Sequence, residues 1–153
     1  MANRKVGIVI LNFNGSEFLK YCLDSLLRAK TDVAFEVGVI DNGSADKDAK
    51  TAQKYFDQFC KNGGKGFFVR SEKNLGFSGG NNVVIKRFLE DQEITHICLL
   101  NSDVLVTDRW LESVAEKTMG DGVITAPVSV ENMLTWAKSK LAEDPALFIA
   151  AIG

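Results

Sequence analysis

The sequence predicts an α/β domain built on a mostly parallel sheet with helices on both faces, and three observations lead to that reading. Short apolar runs rich in β-branched residues alternate with longer stretches whose apolar residues recur at helical spacing. The first run, Val6 to Leu11, is continuously apolar, the pattern of a strand covered on both faces. A cluster of Asn, Asp, Gly or Ser then follows each of the first four runs. Alternation of this kind gives parallel strands joined by right-handed crossovers.

The elements follow in order. After Asn12-Phe13-Asn14-Gly15, Ser16 is the expected N-cap of a helix carrying Phe18, Leu19, Cys22, Leu23, Leu26 and Leu27 on one stripe. Phe35 to Ile40 reads as the second strand, Asp41-Asn42-Gly43-Ser44 as a turn, and Ala49, Ala52, Phe56, Phe59 and Cys60 as the buried stripe of the second helix. Phe67 to Val69 is a third strand. A glycine-rich stretch, Gly76 to Asn82, leads into a helix carrying Val84, Ile85, Phe88 and Leu89. Ile97 to Leu100 is the fourth strand, and Asp108 is expected to cap a helix with Trp110, Leu111, Val114 and Ala115. Val123 to Ala126 reads as a fifth strand stopped by Pro127, and Val130 to Leu141 as a further helix. Periodicity assigns no element to Ala146 to Ile152.

Composition narrows the function classes. At 153 residues the chain makes about one domain, and 46% hydrophobic with 25% charged residues excludes disordered and disulfide-scaffold classes. Lys plus Arg number 18 against 20 Asp plus Glu, so no global field draws the chain to nucleic acid, and any phosphate must be held locally. Cys22, Cys60 and Cys98 form no CxxC pair and lie in apolar stretches, as expected of reduced thiols. The Val6 to Leu11 run is too short for a signal h-region or a membrane span, so cytoplasmic residence is the expectation.

The polar residues carry the functional signal. Asn12 and Asn14 follow the first strand, Asp41 to Ser44 the second, Asn74 to Asn82 the third, and Asn101 to Asp103 the fourth. In an open parallel sheet these ends share one edge, where ligands bind. Taken singly, each cluster is ordinary turn sequence; together they point to a site. Asp103 beside Asn101 suits a hard divalent cation that completes its shell with phosphate oxygens and water. Asp41 can accept hydrogen bonds from a base or a ribose, and Phe13 offers a face for stacking. The glycine segment is neither a Walker loop nor a GxGxxG fingerprint. His96, the one histidine, reads as a strand-edge residue, and hydrolytic triads and zinc chemistry lack their residues. The first turn also lacks the basic loop of a nucleotidylyltransferase and the acidic pair of a phosphoacceptor receiver domain.

Four motifs in order, Val9 to Gly15, Val39 to Ser44, Asn74 to Asn82 and Leu99 to Val104, resemble the donor-binding half of family 2 glycosyltransferases, closest to rhamnosyltransferase-like members. The resemblance runs from about Val6 to Pro127. It implies a GT-A, Rossmann-like fold and an inverting transfer from a UDP- or dTDP-sugar to an acceptor hydroxyl, assisted by Mg²⁺ or Mn²⁺. It further implies that Asn12, Phe13, Asn14, Asp41, Asn42, Ser44, Asn74, Gly79, Asn82 and Asn101 surround the nucleotide and that Asp103 binds the metal. Asn101 stands where the family's Asp-x-Asp motif has its first aspartate. The expected partners are the nucleotide sugar and a saccharide or lipid-linked acceptor, with peripheral membrane contact left open. Residues 1–127 would form the nucleotide-sugar-binding domain and 128–153 the truncated start of an acceptor-side region. The catalytic base is unassigned, since Glu131, Glu143 and Asp144, the carboxylates after Pro127, read as solvated charges or caps. A noncatalytic nucleotide-binding module lacking the acceptor half is the alternative.

Overall fold

The structure, a computed structural model, describes residues 4–117 and 149–152. Five strands, β1 (Lys5–Asn12), β2 (Ala34–Asn42), β3 (Gly66–Ser71), β4 (His96–Leu100) and β5 (Ile149–Ile152), form one parallel sheet in the order β3-β2-β1-β4-β5. Four helices connect or follow them: α1 (Ser16–Arg28), α2 (Asp46–Lys61), α3 (Gly76–Leu89) and α4 (Trp110–Lys117).

Both faces of the sheet are covered, as the continuous apolar run of β1 requires. Val6, Ile8 and Ile10 point to one face, where they pack with Leu19, Cys22, Leu23 and Leu26 of α1, Ala52, Phe56 and Phe59 of α2, and Trp110 and Leu111 of α4. Val9 points to the other, with Ile40, Ile97, Leu99 and Val84, Ile85 and Phe88 of α3. The two-residue alternation is hidden in the sequence because both faces are apolar. Two glycines let α3 lie close: a Cβ on Gly7 would sit 2.8 Å from the Phe88 ring, and one on Gly38 would sit 2.4 Å from Val84 Cγ1.

Several expectations change in three dimensions. The Gly76 to Asn82 stretch is the opening of α3 itself, not a loop before it. Glycine is a poor helix former, but a Cβ on Gly80 would lie 2.6 Å from Leu11 Cδ1 and 3.0 Å from Asn42 Cγ, so contact with the strand ends outweighs propensity. Ser16 is not a cap but the first residue of α1, whose N-cap Gly15 has no side chain to offer. Asp108 does not cap α4 either: its carboxylate accepts the backbone N–H of Lys30 at 2.8 Å and so ties the end of α1 to the segment before α4. Phe18, read as part of the buried stripe of α1, is 52% exposed. The final apolar run supplies β5. The expected Val123 to Ala126 strand, the Val130 to Leu141 helix and the 127/128 boundary lie outside the described residues. No helix among the described residues is long and apolar enough to cross a membrane.

Candidate functional site

The order β3-β2-β1-β4-β5 places a topological switch between β1 and β4, because successive crossovers leave β1 on opposite sides. Open α/β sheets bind ligands in the crevice at the carboxyl ends of such a pair. A cavity of about 390 Å³ lies there. Its apolar walls are Leu11, Phe13, Phe18, Phe77, Leu99 and Leu100, and its polar groups are Asn14, Asn81, Asn101, Ser102 and Asp103. One carboxylate and no lysine or arginine stand among these lining residues.

Beside the cavity, a buried polar network joins the ends of β1 and β2. Asn12 and Asp41 are both 0% exposed. Asn12 Nδ2 donates to Asp41 Oδ1 at 2.9 Å and to Asp48 Oδ2 at 3.0 Å, with Ser44 Oγ at 3.4 Å. These acceptors fix the amide orientation, because the flipped form would aim a carbonyl at two carboxylates. Asp41 Oδ2 accepts the Ser44 N–H at 3.3 Å and lies 4.0 Å from Arg70 Nε. Ser44 Oγ accepts the Asn14 N–H at 2.8 Å, and Asn14 Oδ1 accepts the Ala45 N–H at 2.9 Å. Asn14 has φ of 50°, a left-handed turn conformation that asparagine tolerates.

A second set of bonds anchors α3. Asn42 Nδ2 donates to Asn74 Oδ1 at 3.1 Å and to the Gly76 carbonyl at 3.0 Å, while Asn42 Oδ1 accepts the Leu75 N–H at 3.1 Å. Asn74 Oδ1 also accepts the Gly76 N–H at 2.8 Å, serving the start of the helix from outside it.

The residues expected around a nucleotide and its metal thus divide in three. Phe13, Asn14, Asn101 and Asp103 line the cavity. Asn12, Asp41, Asn42, Ser44 and Asn74 are bonded to one another and to backbone, shaping the walls from behind. Gly79 and Asn82 lie on α3 away from the lining, where Asn81 stands instead, 4% exposed and donating to the Phe77 carbonyl at 2.9 Å. The structure adds Asn81, Phe18, Phe77 and Ser102 to the lining and Asp48 behind it. Asn81 could have been found from helical phase once α3 is known to start at Gly76, since it falls four residues after Phe77. Phe18 looked like core. Asp48 had no local signal.

Asp48 accepts from Ser16 N at 3.1 Å and Ser16 Oγ at 2.7 Å as well as from Asn12. Burial works to raise its pKa, but the hydrogen bonds from Ser16, Asn12 and Ser44 outweigh burial and hold it below the ordinary carboxylate value. Beneath the other end of the cavity, the Cys22 thiol faces the Asn101 carbonyl at 3.8 Å, and burial, then the Asp103 charge, pushes its pKa to about 12. It is an inert packing group, not a nucleophile.

A divalent cation fits the Asn101-Ser102-Asp103 end in one way. No group of three or more His, Cys, Asp or Glu residues gathers among the described residues, so they offer no cage made of protein alone. A single carboxylate with neighbouring oxygen donors matches a hard cation whose remaining ligands are phosphates and water.

The comparisons agree with this architecture. Three crystal structures of Staphylococcus aureus TarS 1–349 share the fold: one covers 82% of this chain at 22% identity with a TM-score of 0.57. The complex with UDP-GlcNAc gives 82%, 21% and 0.59, and the complex with UDP gives 82%, 22% and 0.58. The chain spans only 36%, 35% and 36% of those three chains. No curated protein sequence matches it significantly. The sequence model described as "Glycosyl transferase family 2" matches residues 7–144, across all four polar clusters. With that match over most of its length and a GT-A-type sheet beneath it, the chain belongs to glycosyl transferase family 2.

Proposed function

We propose that the chain is the donor-binding part of an inverting glycosyltransferase that takes a sugar from a UDP- or dTDP-sugar, with a divalent metal, and passes it to an acceptor hydroxyl. The observation that carries this reading is the lining of the switch-point cavity: aromatic faces at Phe13 and Phe77, and the Asn101-Ser102-Asp103 turn with no cationic side chain. A base stacks on an aromatic face at little cost in specificity. A diphosphate brought beside Asp103 would be repelled unless a cation came with it. The TarS structures with UDP and UDP-GlcNAc support a nucleotide sugar as the ligand class.

Asp103 would hold Mg²⁺ or Mn²⁺, with Asn101 reaching it through water or contacting the ribose. The ion, when bound, would supply the positive charge that stabilises a diphosphate leaving group. The protein's own contribution is positional: Phe13, Asn14 and Asn81 orient the nucleotide, and the apolar walls exclude water. The base that takes the acceptor proton would come from the acceptor side, because the described lining has no carboxylate besides Asp103. That same lack favours the second reading, a noncatalytic nucleotide-binding module. Calorimetric titration with UDP- and dTDP-sugars, with and without Mn²⁺, tests the proposal. Metal-dependent binding lost in Asp103→Ala is expected; binding indifferent to both metal and that substitution would overturn the metal assignment. Sugar transfer or slow donor hydrolysis separates the enzyme from the binding module.

A further inference from the structure

Resting on that nucleotide-binding reading, we infer that Asp48, on α2 and outside the cavity, is the positioning residue that presets the donor-side wall. No residue of α2 lines the cavity, but the turn from Asn12 to Gly15 and the first helical turn of α1 supply Phe13, Asn14, Gly15 and Phe18 to it. Asn14 ties the middle of that turn to Ser44 and Ala45, but the start of α1 has little to hold it locally. Gly15 at the N-cap brings no side chain, and α1 makes no side-chain capping bond of its own. Asp48 fills both gaps from another helix. Oδ1 takes the Ser16 N–H at 3.1 Å and the Ser16 hydroxyl at 2.7 Å, and Oδ2 takes Asn12 Nδ2 at 3.0 Å.

The geometry makes Asp48 a remote cap. A carboxylate that takes the Ser16 N–H satisfies the first donor of α1 and complements the helix dipole. By holding Asn12 at the same time, it clamps the turn at both ends, so Phe13 between them can be 47% exposed and still be placed. Without the clamp, the bonds of Asn12 to Asp41 and of Asn14 to Ser44 and Ala45 would remain, but nucleotide binding would have to order the start of α1, and affinity would fall by that cost.

Asp48→Asn tests this in the full chain, because it keeps the shape but presents an N–H₂ to a donor. Two quantities are measured: UDP affinity with Mn²⁺, and hydrogen exchange at the Ser16 and Asn14 amides. Phe56→Leu serves as control, since Phe56 packs on Phe59 and Phe68 and reaches neither the turn nor the cavity. The expected result is about tenfold weaker UDP binding with about tenfold faster exchange at those two amides, the scale of one charge-assisted hydrogen bond. The control, compared at equal loss of melting temperature, keeps wild-type affinity. Unchanged exchange at Ser16 and Asn14, or equal weakening by the control, overturns the inference. If the wild-type protein binds no nucleotide, the function proposed above fails, and the exchange result alone decides whether Asp48 sets the turn.

Discussion

Asn12→Asp replaces one N–H₂ by an oxygen of the same size, and the structure makes that nearly isosteric change severe. The new carboxylate would stand where Nδ2 now lies, 2.9 Å from Asp41 Oδ1 and 3.0 Å from Asp48 Oδ2. Like charges about 3 Å apart repel by about 5.5 kcal/mol at an effective dielectric of 20. Two such contacts exceed the cost of keeping the new group protonated. Holding a proton at pH 7 on a group of ordinary pKa about 3.9 costs about 4 kcal/mol, and that sets the expected loss. The folded-state pKa of the new group is raised, so the native state binds the extra proton and stability falls as pH rises, by about 1.4 kcal/mol per pH unit between the two pKa values. Urea unfolding of variant and wild type at about pH 7 and about pH 4.5 reads this directly. A deficit of about 4 kcal/mol at the higher pH, shrinking toward 1 kcal/mol at the lower, is expected. A deficit below about 1 kcal/mol at pH 7, or one that does not change with pH, would refute the arrangement of Asn12 between two carboxylates.

Other outcomes test other parts of the molecule. Gly38→Ala places a Cβ 2.4 Å from Val84 Cγ1 and 2.8 Å from Phe67 Cζ, and should cost about 1 to 3 kcal/mol in denaturant unfolding by forcing α3 off the sheet. Phe13→Ala should leave the melting temperature nearly unchanged, since the ring is 47% exposed, yet weaken UDP binding about tenfold or more by calorimetry, the scale of one base stacked on an aromatic ring. The Cys22 and Cys98 thiols, both raised to about 12 by burial, should resist iodoacetamide at pH 8 until the protein is unfolded, as followed by mass spectrometry. Asp48, held below its ordinary pKa, contributes stability that is present above the unfolded carboxylate pKa near 3.8 and is lost as pH falls through the lower folded value. Relative to wild type, Asp48→Asn should therefore lose its disadvantage in acid unfolding at the lowest pH.

Much of the fold was readable along the chain because it is written in local pattern. Val6 to Leu11 declares a strand buried on both sides, α1 and α2 show their stripes, and the Asn, Asp, Gly and Ser clusters mark the strand ends that a parallel sheet gathers on one edge. The family resemblance rests on those same clusters. Burial and turn chemistry act over a few residues, so a sequence reports them well. The tertiary structure decided what those polar groups do. Strand order put the cavity between β1 and β4, and only there could Asn101, Asp103, Phe13 and Asn81 meet. It turned Asn12, Asp41 and Ser44 inward to one another, folded the glycine run into α3 against Leu11 and Asn42, and moved the cap of α1 from Ser16 to Asp48, 32 residues away. A hydrogen bond is settled by distances of tenths of an ångström between groups that the chain brings together only after its helices have packed. No periodicity carries that information, and so the sequence determined which residues reach the edge, while the packing of α1, α2 and α3 on the sheet determined which of them face the cavity.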